Sequence, residues 1–246
     1  MFNYAIRPVS SQLKLFPSLL TSTEADALGE TLVSDFQRPL HPSEQSFVIG
    51  DCWTGTILID ISEEGLTSIG VIDWEFAGIG RGAHGDIAQF LAHLELLRIS
   101  ATYSQHSNES SPAFDRVEAL ISSFVTSYSK LYRPTFLALP LGIRLNVMRS
   151  AILSHAAEMI NCAFWKAWPC HSSTCPAMEQ RHSVPQECDL IKAMIERALR
   201  LLRVAGESRD GFEERLRTMI EEKGRQNGIG EAEGMWLMDL FEDLDR

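Results

Sequence analysis

The chain has 246 residues, 33 acids against 22 bases, and a formal net charge of −11. Hydrophobic content of 45% and charged content of 22% are ordinary for a globular protein with one sizeable core. The acidic balance argues against a general nucleic-acid partner or an anionic-membrane surface, since either needs a basic patch. It is compatible with a cationic amine ligand, although a solvated acidic face is the simpler reading. Five cysteines follow no secreted-type framework, so a reducing, cytoplasmic setting is expected. No apolar run approaches the ~18–20 residues of a membrane span.

Residues 1–20 read as an irregular N-terminal segment. The first 22 residues lack acids and carry Arg7, Lys14 and several serines. That gives mitochondrial import as the alternative location, although Pro8 and Pro17 spoil an amphipathic helix. Thr21-Ser22-Thr23-Glu24 has capping-box spacing and predicts a helix to about Arg38, stopped by Pro39 and Pro42. FVIG then leads into Asp51, and SIGVI leads into Asp73. Between them ILIDI (57–61) and SIGVI (68–72) flank EEGLT, which predicts a hairpin with Gly65 in the turn. Such a hairpin brings two carboxylates to one end of a small sheet, where they can hold Mg²⁺ and take a proton from a hydroxyl.

Helices are expected over 84–99, 113–132, 141–166, 187–205, 210–223 and 231–244 from apolar residues at helical spacing. Pro134 and Pro140 bracket a predicted connection, and 101–112 reads as a polar surface loop. His84 and His93 read as partly exposed residues on or beside the first of these helices. His155, Glu158 and Asn161 are polar residues on a largely apolar one, with no role assigned. Arg197, Arg200 and Arg203 define a face expected to be solvated. Residues 165–188 read as a flexible insertion. Its Cys170, Cys175 and His182, with Cys188, can be drawn as a zinc site, but incidental thiols are the better reading. Trp165 and Trp168 read as packing residues before they read as a cation–π pocket. No internal repeat or boundary divides the chain, so one domain over 1–246 is expected.

Three linked motifs carry a resemblance. Gly50-Asp51-Cys52-Trp53-Thr54-Gly55-Thr56-Ile57-Leu58 resembles the catalytic loop H-G-D-x-x-x-G-N-I-L of the aminoglycoside phosphotransferase and choline kinase family. Val71-Ile72-Asp73-Trp74-Glu75 resembles its I-D-W-E metal motif, and Gly78 to Ala88 resembles its G-x-G-D-P-x-x-D-L-A stretch. The resemblance is closest over 47–91. It implies ATP- and Mg²⁺-dependent phosphoryl transfer to a hydroxyl of a small-molecule acceptor. Asp51 would be the base. Asp73 and Thr56 would hold the metal and nucleotide phosphates, and Asp86 would support the loop structurally. The departures are Ile49 for His, Thr56 for Asn and Arg81 for Asp.

Residues 1–46 contain no G-x-G-x-x-G and no V-A-I-K-like strand. The fold expected is therefore mainly α with a small β-hairpin, a protein-kinase-like C-terminal lobe lacking the N-terminal nucleotide-binding lobe. The resemblance implies an apolar face where that lobe would sit, open to a second copy or a partner chain. The alternatives to an active enzyme are a catalytically impaired kinase-like protein acting as a binding or regulatory partner, and a truncated product.

Overall fold

The computed structural model describes residues 6–62, 65–103, 112–165 and 188–225. Helices dominate: α1 Val9–Leu13, α2 Ser22–Gln37, α3 Ala88–Tyr103, α4 Pro112–Leu137, α5 Leu141–Trp165, α6 Asp189–Gly206 and α7 Arg209–Arg225. Four strands lie between α2 and α3: β1 Gln45–Val48, β2 Ile57–Ser62, β3 Gly65–Val71 and β4 Gly78–Arg81. They form two separate antiparallel pairs, β1 with β4 and β2 with β3. The mainly helical architecture with a small hairpin matches the expectation. Among the described residues no helix is long and apolar enough to cross a membrane.

The core sits where α3, α5 and α6 pack on one another. On α5, Val147, Met148, Ala151, Ile152, Ala156 and Ile160 are fully buried, an apolar stripe at helical spacing. A charged knot ties the three helices together. Glu95 Oε2 meets His155 Nε2 at 2.6 Å, and Arg197 Nε donates to Glu95 Oε1 at 2.7 Å. All three are buried, so Arg197 does not belong to the solvated face expected for it. Burial works against ionised Glu95, but the Arg197 charge and the His155 hydrogen bond outweigh it and hold its carboxyl below the ordinary range. Arg203 on the same helix is exposed and pairs with Glu24 at 2.8 Å.

The N-terminal segment is not irregular throughout. Val9, Leu13 and Phe16 are fully buried, and Phe16 meets Phe164 edge-on with centroids 5.8 Å apart. Burial of these side chains draws α1 onto the core, each worth about 1.5–3 kcal/mol. Thr21 caps α2 as the capping box predicts, accepting from the Glu24 amide at 3.2 Å. Helix α4 runs through Pro134 instead of ending before it. An aromatic ladder runs along the helix and spans the proline at its last step. Phe124, Tyr128, Tyr132 and Phe136 stack at four-residue steps with centroids 5.6–5.9 Å apart, and Phe136 is fully buried. The first predicted helix over 84–99 is divided: Gly82–Ile87 winds as a π-turn, and α3 begins at Ala88. The sequence-predicted helix 231–244, the cysteines 170 and 175, His182, Trp168 and most of the 101–112 loop lie outside the described residues.

Candidate functional site

The two short sheets frame a loop, 49–56, whose backbone is set by local rules. Gly50 adopts φ +87°, and a Cβ there would lie 2.4 Å from the Phe76 carbonyl oxygen. Only glycine meets both demands. At Gly55 a Cβ would strike the Trp53 ring, so the absence of a side chain lets that indole fold over the loop. The loop is then tied down by one carboxylate. Asp86, on the π-turn, accepts from the Ile49 amide at 2.6 Å and the Gly50 amide at 3.0 Å. Burial pushes the Asp86 carboxyl above its ordinary value, against the pull of those two N–H groups.

Asp51 is half-buried on this loop. Burial, then the Glu158 carboxylate, raise its pKa; His93 lowers it, and Asp73 raises it further. The Asp73 contribution means the two aspartates lie within electrostatic reach of each other. Asp73 is exposed and left-handed at φ 61°. It precedes a short 3₁₀ turn, Trp74–Phe76, without capping it through its side chain. The hairpin explains the approach: Ile57 pairs with Val71, and the Ile72 amide donates to the Thr56 carbonyl at 2.9 Å. That closes the chain between the 49–56 loop and Asp73.

Thr56 is fully buried, and its hydroxyl donates to the Trp53 carbonyl at 2.8 Å. That bond spends the hydroxyl proton inside its own loop, and the oxygen itself is shut off from solvent. Cys52 beside it is an unreactive thiol, pushed up to about 11 by burial first and the Asp86 charge second. Arg81 is turned toward α2. It donates to Asp35 Oδ2 at 3.1 Å, to Ser150 Oγ at 2.9 Å and to the Asp35 and Phe36 carbonyls. Arg38 adds a fork onto buried Glu44, with its closer contact at 2.8 Å. Arg38 and Arg81 line one side of a cavity of about 490 Å³. Gly50, Phe76, Asp86, Gln89 and Glu158 line the rest of the part that faces the loop.

The two histidines expected at a rim are both buried. His84 is packed in the π-turn, and among the described residues its Nε2 has no hydrogen-bond partner. His93 Nε2 lies 2.8 Å from Glu158 Oε1 and 3.3 Å from Cys162 Sγ. Its ring also lies 5.8 Å from that of Trp53. Sequence reading assigned none of these three a role. Glu158 and Cys162 stand four apart on α5, a spacing visible in the sequence, but nothing local brings His93 to them.

The groups that the motifs imply are Mg²⁺ and a nucleoside triphosphate. Mg²⁺ is held by one or two carboxylates and keeps several waters. Asp73, exposed and with Asp51 in reach, fits that demand; buried Thr56 fits it less well. For a triphosphate the fit is partial. Lys14 is paired with Asp26 at 2.6 Å, and Arg81 is committed to Asp35. Comparison of the chain with family models, with curated proteins and with solved structures finds no match.

Proposed function

We propose that this protein is a small-molecule phosphotransferase of the aminoglycoside phosphotransferase and choline kinase type, with a fold like the C-terminal lobe of a protein kinase. The observation that carries the reading is Asp51 on a loop tied by Asp86 beside a cavity, with the chain leading to Asp73 joined to the end of that loop by the Ile57–Val71 pairing and the Ile72 to Thr56 hydrogen bond. Asp51 would accept the proton of an acceptor hydroxyl, and its raised pKa suits a base that must take and release one. Asp73 would hold Mg²⁺ on the nucleotide, and Mg²⁺ would supply neutralisation of the phosphate charge. The cavity walled by Glu158 and Gln89 would receive the small-molecule acceptor. The free, buried thiol of Cys52 is in keeping with a cytoplasmic setting.

A second reading, a kinase-like protein that acts by binding, is favoured by two observations. The Thr56 hydroxyl is engaged within its loop, and the apolar face of the hairpin is exposed. A thermal-shift titration of the full chain with ATP and Mg²⁺, beside Asp73→Ala, separates the two. The enzyme reading expects saturable, Mg²⁺-dependent stabilisation that the variant loses, about 2.7 kcal/mol at a hundredfold excess over Kd. No shift at millimolar nucleotide would overturn it in favour of the binding reading.

A further inference from the structure

His93, Glu158 and Cys162 present one donor atom each, and the three atoms lie within 4.8 Å of one another. The separations are 2.8 Å for nitrogen to oxygen, 3.3 Å for sulfur to nitrogen and 3.1 Å for sulfur to oxygen. Tetrahedral Zn²⁺ with imidazole, carboxylate and thiolate ligands sets such donors about 3.3–3.6 Å apart. The triangle needs to open by only a few tenths of an ångström. Two rigid helices hold it: Glu158 and Cys162 are successive-turn neighbours on α5, and His93 faces them from α3. Gln89 donates to the other Glu158 oxygen at 3.5 Å, a contact of the kind that orients metal ligands.

A hydrogen-bonded trio is the plain alternative: His93 Nε2–H and the Cys162 thiol both donate to Glu158 Oε1, at 2.8 and 3.1 Å. The 3.3 Å approach of Sγ to Nε2 is then a contact with no proton between the two atoms. A cation at the centre turns that contact into shared coordination. A nucleophilic Cys–His pair is also a poor fit, because the carboxylate meets Nε2 instead of orienting the ring through Nδ1, and Cys162 is buried.

We propose that His93, Glu158 and Cys162 form a binding site for a Zn²⁺-class divalent cation that clamps α3 to α5 beneath the 49–56 loop. The hard Mg²⁺ ion avoids thiolate, so this site is distinct from the one at Asp73. Cys162 releases its thiol proton to water on binding. Three protein donors leave a coordination position for water or for a ligand in the cavity that Glu158 lines. The site does not depend on the phosphotransfer reading.

The full-length chain, stripped with chelator, is titrated with Co²⁺ as a spectroscopic probe and then with Zn²⁺ in competition. One equivalent of Co²⁺ with a near-ultraviolet thiolate charge-transfer band, displaced by Zn²⁺, is expected. Cys162→Ser removes the band, whereas the double change Cys170→Ser with Cys175→Ser keeps it. His93→Gln keeps cobalt–thiolate absorption but weakens Zn²⁺ binding by at least about tenfold. Far-ultraviolet circular dichroism checks the fold of each variant. The proposal is overturned if the wild-type chain takes up no stoichiometric metal at micromolar concentration. It is overturned equally if the band survives in Cys162→Ser, or disappears in the Cys170 and Cys175 double variant.

Discussion

At Asp86 a single carboxylate collects two consecutive backbone N–H groups, and this defines where the Asp51 loop sits. Each oxygen accepts one bond, so an amide in its place turns one acceptor into a donor facing a donor. Asp86→Asn is expected to cost about 1–3 kcal/mol in urea unfolding, the range for leaving a partly buried N–H unpaired. A loss under about 0.5 kcal/mol, the scale of a neutral surface change, would mean the tie does not hold the loop. Asp86 was legible in the sequence because it belongs to a motif 35 residues from Asp51 whose spacing is distinctive. His93 was not. Its partners lie 65 and 69 residues away on another helix, and only the packing of α3 on α5 decides which side chains meet. The burial of Arg197 was missed for the same reason, since its partner Glu95 is 102 residues away.

The hairpin shows how an element can be right in sequence and still carry an unresolved surface. The first strand covers the expected 57–61, but β3 begins at Gly65 instead of 68, so Gly65 pairs with Ser62 and does not sit in the turn; Ile59 and Ile61 lie on one side of β2, with Ile69 opposite Ile59. That face is bare: Ile59 is 59%, Ile61 70% and Ile69 61% exposed. A two-stranded ribbon with a solvent-facing apolar side is marginal in water, so an apolar cover would stabilise it. Self-association through this face is therefore expected at high protein concentration. Light scattering would read a mass above that of one chain, falling toward it when the cross-strand pair becomes Ile59→Thr with Ile69→Thr. Threonine keeps the β-branched backbone preference while removing the apolar surface. A monodisperse monomer for the unaltered chain would sink the expectation. Helix α4 makes the opposite point. Pro134 reads locally as a stop, but the helix continues past it to Leu137, where buried Phe136 meets the Tyr132 ring across the proline.

Across the whole molecule, acid sensitivity is built into the interior. Unfolded, the His84 imidazole has its ordinary pKa of 6.5; folded, burial, then Arg81, then Arg38 push it down to about 3. Folding excludes a proton between those values, so stability falls as pH drops below about 6.5. The slope approaches about 1.4 kcal/mol per pH unit and flattens once the folded pKa is passed. Glu95 acts in the same direction but later. Its depressed pKa contributes stability that is present above the ordinary carboxylate range and lost as acid protonates it. Asp51 and Asp86, whose carboxyls are raised, act in the opposite direction as they protonate, so a loss between about pH 6.5 and 5 is expected to come from His84. Urea unfolding across that interval should give a flatter pH dependence for His84→Gln than for the unaltered chain. Equal slopes would remove His84 from the account.

The left-handed backbone at Asp73 has a consequence for how this chain could change. Glycine would occupy that conformation without the roughly 1 kcal/mol penalty of an L side chain. A search that rewarded only thermal resistance would therefore drift toward glycine at position 73 and discard the carboxylate. If Asp73 holds the metal as proposed, robustness and ligand capacity are opposed at this one residue, and stabilised descendants of the protein should be screened for nucleotide and metal binding before they replace it.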